Sequence, residues 1–85
     1  MVKDMFGQTV EVGNIVGYVS DNRSVTISRV TRFTPKKVEI VYPVTSFENG
    51  SMPIATFSNS LVNSSFLIRL AETPEIQAYL AENKL

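Results

Sequence analysis

Apolar and polar residues alternate in short runs along this chain, and glycine, proline and Asn/Asp clusters punctuate the runs. In TVEVGNIVGYVS, Val10 and Val12 alternate with Thr9 and Glu11, the period of a half-buried strand. Gly13-Asn14 interrupts the pattern; Ile15, Val16, Tyr18 and Val19 resume it around Gly17. Glycine inside a strand marks a bulge, a sharp bend or a close backbone approach. Two glycines four apart therefore predict the strong bending of a small barrel. After the polar turn Asp21–Ser24, SVTISRVTRFTP is dense in β-branched residues and reads as a strand. Its phase slips, because Val25 and Ile27 share one face and Val30 falls on the other, which predicts a bulge near Ser28-Arg29. Thr34-Pro35-Lys36-Lys37 is a turn, and Val38, Ile40 and Tyr42 then alternate with Glu39 and Val41. Residues 24–42 are thus expected to form a β-hairpin.

Pro43 is expected to end that strand or place it at an edge. Asn49-Gly50 is the strongest short turn signal in the chain. Residues 53–58 read as a short strand, 59–65 as a polar loop with room for one helical turn, and 66–70 as a further strand. The tail differs in kind. Thr73-Pro74 supplies an N-cap and a proline at the first helical position, and Glu75 sits at the positive end of the helix dipole. Ile76, Tyr79 and Leu80 then lie on one face of a helix over about 74–83, too short to persist unless it docks on the sheet. The fold class predicted is mainly β: a single domain, residues 1–85, built as a small SH3-like barrel of five or six short strands with a short C-terminal α-helix.

Composition narrows the chemistry. The 85 residues are 44% hydrophobic, so the core must come from Val, Ile, Leu, Phe and Tyr. Phe57 and Phe66 are assigned to it, and Phe33 and Phe47 to the surface. His, Cys and Trp are absent, which removes disulfides, thiolate and imidazole metal ligands, Cys nucleophiles and histidine-based triads. A carboxylate calcium or magnesium site stays formally open, but no cofactor is implied. The serines lack a G-x-S-x-G turn, Gly13–Gly17 lacks the spacing of a phosphate loop, and Glu72 and Glu75 are explained by the helix dipole. The expectation is a protein that is not an enzyme and takes no small-molecule substrate. The N-terminus has no apolar h-region and no run approaches the length of a membrane span, so a cytoplasmic location without membrane attachment is expected.

Charge is balanced in total, eight basic against eight acidic residues, but not in place. Arg23, Arg29, Arg32, Lys36 and Lys37 fall between Asn22 and Val38 without an acid among them. Arg23 and Arg29 share strand parity, and Arg32 joins them only if a bulge shifts its phase. One reading is a basic ribbon that lies along a groove and contacts phosphates, with Phe33 stacking on a base. The other is the ordinary solvent face of a strand, whose cations guard against edge pairing. The zero net charge weighs against the first reading, and the residues leave both open.

The stretch from Thr9 to Tyr42 also resembles short proteins of large tailed bacteriophages that open with D-x-F/L-G, continue through V-G-D-x-V-A-Y/F and carry a later T-P-K before another Val-rich strand. The corresponding residues are Asp4, Phe6 and Gly7; Val12 and Gly13; Val16 and Tyr18; and Thr34, Pro35, Lys36 and Val38. The outline is similar to KOW and other SH3-like modules of transcription and translation factors. Asn14 stands where those modules usually carry Asp, and no glycine occurs around Asp21–Ser24. The resemblance covers residues 4–42 and implies an accessory factor of infection that binds nucleic acid, a transcription complex or a host protein. Two alternatives remain beside nucleic-acid binding: a module that inhibits or redirects a host protein, and a small homo-oligomeric component joined through an unpaired strand edge.

Overall fold

A computed structural model describes residues 1–20, 24–47 and 53–85, with the side chains of 45–47 and 53–55 left aside. The elements follow in the order β1 (Ile15–Val19), β2 (Val25–Phe33), β3 (Val38–Phe47), β4 (Pro53–Val62), a 3-10 turn (Ser64–Phe66), β5 (Leu67–Arg69) and α1 (Pro74–Asn83). All neighbouring strands are antiparallel, in the sheet order β4-β3-β2-β1-β5. Four strands meander, and β5 returns to lie beside β1. The protein is therefore mainly β, a small barrel-like sheet of five strands with one short terminal helix, in keeping with the SH3-like expectation.

The core lies on one face of this curled sheet. Val16, Val30, Val38, Ile40, Val62 and Leu67 form it with Val10, and Val2, Tyr18 and Tyr42 pack against it. The register explains the selection, because directly opposed residues share a face: Val30 faces Ile40, and Val38 faces both Phe33 and Val62. Each such aliphatic side chain stabilises the fold by roughly 1.5–3 kcal/mol of transfer free energy. Tyr42 places its hydroxyl 3.0 Å from that of Ser60, so the polar end of this part-buried ring is satisfied.

The expected strand over residues 9–12 does not form. Thr9 makes only an isolated bridge to Lys3, and the chain turns at Glu11–Asn14. Asn14 N–H donates to the Glu11 carbonyl at 3.1 Å, and the Asn14 side chain accepts Glu11 N–H at 2.8 Å. Gly13 occupies the third position of this turn at φ 92°, a conformation open to glycine and costly for other residues. Val10 is still buried, because its N–H reaches the Val2 carbonyl and folds residues 2–10 into a small loop against the barrel. Val12 sits in the turn and is exposed.

The hairpin expected over 24–42 is present as β2–β3, with Thr34–Lys37 as its turn. The bulge expected near Ser28-Arg29 does not form: pairing runs unbroken from Val25 to Val30, so Val25 and Ile27 stay on the face opposite Val30, and the register shifts instead between Val30 and Arg32. Thr31 is the extra residue, and its hydroxyl bonds Glu39 on the opposite strand. β3 continues through Pro43 to Phe47, since β2 pairs with β3 only as far as Val41. Pro43, which has no N–H, therefore sits where β3 has β4 alone as a neighbour. β4 extends through Val62 and absorbs much of the segment expected as loop; the single helical turn there is the 3-10 turn capped by Asn63.

Two core assignments are corrected. Phe57 is 48% exposed because it faces Pro43 on the outer side of the sheet, and Phe66 is 47% exposed because it closes the 3-10 turn. Asn49-Gly50, Arg23 and the Asp21–Asn22 part of the first turn lie outside the described residues, as does the Phe47 side chain.

The helix matches its expected span and cap. Thr73 Oγ1 accepts Ile76 N–H at 3.3 Å, Pro74 and Glu75 open the first turn, and Lys84 closes the helix in the left-handed conformation. Leu80 is buried, and Ile76 and Tyr79 are half-buried. No helix among the described residues is long and apolar enough to cross a membrane.

Candidate nucleic-acid interface

The Thr31 bulge decides where the cations of β2 point. Without it Arg32 would project opposite to Arg29. With one residue inserted, Arg29 faces Val41 and Arg32 faces Glu39, and both positions lie on the outer side of the sheet. Sharing a face does not make them one surface. The Arg29 guanidinium donates to the Gly13 carbonyl at 2.9 Å and to the Leu85 carbonyl at 3.0 Å. It is a half-buried tie between β2, the Gly13 turn and the end of α1. Nothing in a strand pattern marks an arginine whose partners are main-chain carbonyls far away in sequence.

Arg32 remains on the surface. Its Nε lies 3.1 Å from Glu39 Oε2, with the arginine side chain 63% exposed and the glutamate 18%. Hydrogen bonds from the Thr31 hydroxyl and from Arg32 hold the Glu39 carboxyl below its ordinary pKa. Such an exposed pair adds little stability.

Lys36 and Lys37 occupy the hairpin turn and are exposed. Thr34 organises the turn: its N–H and hydroxyl both donate to the Lys37 carbonyl, at 2.9 and 3.1 Å, and its hydroxyl accepts Lys37 N–H at 3.0 Å. Pro35 and this closed loop present the two ammonium groups at one end of the hairpin. Beside them Lys37, Val38, Val2 and Ser64 line a small cleft of about 110 Å³. Phe33 is 38% exposed but opposes Val38, so it belongs to the inner side of the sheet rather than to the face of Arg32. Of the six expected contact residues, the fold thus brings Arg32, Phe33, Lys36 and Lys37 to one end of β2–β3, sets Arg29 apart, and leaves Arg23 outside the described residues.

A residue singled out only within the bacteriophage resemblance carries a clear structural task. Asp4 is 6% exposed and accepts four hydrogen bonds: from the backbone N–H groups of Phe6, Gln8 and Arg69 at 2.9, 2.9 and 2.7 Å, and from the Gln8 amide at 2.9 Å. Burial by itself raises the Asp4 pKa; the N–H groups of Arg69, Gln8 and Phe6 outweigh it and hold the carboxyl below its ordinary value. Phe6 and Gly7 (φ 79°) complete this turn, so the D-x-F-G outline is a device for folding the N-terminal loop onto β5. A larger polar cleft of about 300 Å³ lies nearby, lined by Gln8, Asn14, Arg69 and Glu72 among others. Gln8 is engaged by Asp4, Asn14 by Glu11, and Arg69 reaches the Thr9 carbonyl at 3.3 Å, so most of its polar groups already serve the loop.

Residues 2–55, more than half of the chain, match the model of a family described as a domain of unknown function (DUF7205), and the chain belongs to that family. Neither curated proteins nor solved structures give a significant match.

Proposed function

We propose that this DUF7205 member is a non-enzymatic binding module that contacts nucleic acid, alone or within a transcription complex, through the end of its β2–β3 hairpin. The observation that carries the reading is that exposed Arg32, Lys36 and Lys37 share one end of the β2–β3 hairpin with Phe33, which is 38% exposed on the inner side. Phosphates would meet the three cations, and a base at a strand end or in a loop would meet the Phe33 ring. The footprint is small, and net charge is zero, so binding is local and weak at high salt. The resemblance to bacteriophage accessory proteins supports a contact made in the cytoplasm of an infected bacterium.

Fluorescence anisotropy with single- and double-stranded oligonucleotides across a salt series tests it. Three phosphate contacts predict a log–log salt slope of roughly −2 to −3. Lys36→Glu with Lys37→Glu should abolish the signal. Absence of binding at low salt, or binding indifferent to both substitutions, overturns the reading.

A host-protein partner is the second reading, favoured by a different observation. Phe6 is 70% exposed and Phe66 47%, and Met5 N–H bonds to the Leu67 carbonyl beside Phe66. Exposed aromatics on two segments joined by a backbone hydrogen bond are the kind of apolar surface that protein partners cover. Recovery of one host protein from nuclease-treated lysate, lost on Phe6→Ser with Phe66→Ser, would distinguish this reading from the first.

A further inference from the structure

We infer that β4 is a self-pairing edge, and that two copies of this chain join through it into one continuous sheet. The two ends of the sheet are treated differently. At β5 the outer edge is occupied: Met5 N–H bonds the Leu67 carbonyl at 2.9 Å, and Arg69 N–H bonds the Asp4 carboxylate at 2.7 Å. At β4 the described residues show no backbone hydrogen bond except those to β3. Soluble proteins usually blunt such an edge with charge, an internal proline, a bulge or brevity. β4 has none of these. It is ten residues long, pairs with β3 without a register break, and carries its one proline at the first position. No charged residue occurs between Glu48 and Arg69.

The side-chain order selects a second copy as the occupant. Antiparallel self-pairing centred on Asn59 opposes Asn59 with Asn59, Ser58 with Ser60, Phe57 with Leu61 and Thr56 with Val62. Phe57 and Leu61 share the outer side of the sheet, at 48% and 47% exposure, with exposed Asn59 between them. In this register each copy's Phe57 covers the other's Leu61, an aromatic–aliphatic pair formed twice, while hydroxyl groups oppose one another on the other side. The twofold arrangement brings no like charges together and supplies partners for the open row of N–H and C=O groups.

Sedimentation velocity over a concentration series, together with cross-linking, tests the inference. Wild type should form a dimer. Asn59→Lys places two ammonium groups on the twofold axis and should weaken the dimer roughly fivefold or more. The chain has no cysteine, so Asn59→Cys introduces a single thiol. Opposed residues in an antiparallel pair hold Cβ atoms about 4.5–5.5 Å apart, and mild oxidation should give a disulfide-linked dimer, whereas Glu75→Cys on the helix should not. A wild-type monomer at the highest concentration overturns the inference. So does a dimer that ignores Asn59→Lys and fails to cross-link through Asn59→Cys, because it uses another surface.

Discussion

The carboxylate of Asp4 accepts the backbone N–H of Arg69 at 2.7 Å across a separation of 65 residues. This contact joins the N-terminal loop to β5, and three further donors converge on the same buried group. Asp4→Ala strands those donors and should destabilise the domain by roughly 1–3 kcal/mol in urea unfolding.

The same carboxylate sets an acid limit. Its pKa in the folded protein lies below the ordinary aspartate value of 3.8, so the unfolded chain takes up the proton first as pH falls. The stabilisation is complete above the unfolded value and is lost as pH falls through the folded one. Thermal melts should show wild type losing stability below about pH 4, and Asp4→Asn should lack that part of the pH dependence.

Arg29 separates architecture from binding. Arg29→Ala removes the bonds to Gly13 and Leu85 and should speed amide hydrogen exchange in α1, at a cost to stability of roughly 1–3 kcal/mol. Oligonucleotide affinity should be unchanged, in contrast to Lys36→Glu with Lys37→Glu. Equal losses of affinity from Arg29→Ala and from the lysine variant would move the interface to the outer sheet face.

Glu39 restrains Arg32, and Glu39→Gln should release it. The expected result is a few-fold gain in oligonucleotide affinity at low salt with an unchanged melting curve. A loss of affinity would mean that the ion pair itself, rather than the free guanidinium, presents the contact.

Gly13→Ala tests the turn before β1. No atom outside its chain neighbours lies within 4 Å of an added Cβ, so the cost arises from φ 92° rather than from collision. A loss of roughly 1–2 kcal/mol is expected in denaturant unfolding.

Local chemistry explains which parts of the fold are legible in the sequence. Thr73-Pro74-Glu75 carries its own stop and start signals, and α1 begins there. The β2–β3 hairpin was equally legible, because β-branched alternation and a proline turn act over a few residues. The strand expected at 9–12 failed because Gly13 and Asn14 close a turn that alternation cannot reveal. Phe57 and Phe66 failed for another reason: exposure in a curved sheet depends on which side a neighbouring strand or helix covers, a property of the tertiary fold. Lys36 and Lys37 could be placed at the hairpin tip from their spacing. The diversion of Arg29 to the Gly13 and Leu85 carbonyls, and the gathering of donors around Asp4, join distant parts of the chain and leave no periodic trace.

The small loop that lies along β5 also limits growth. With Met5 and Asp4 occupying that margin, the sheet can accept a new strand on one flank only. Any addition at β4 uses up the remaining flank, so assembly terminates with a finite pair instead of polymerising into a fibre.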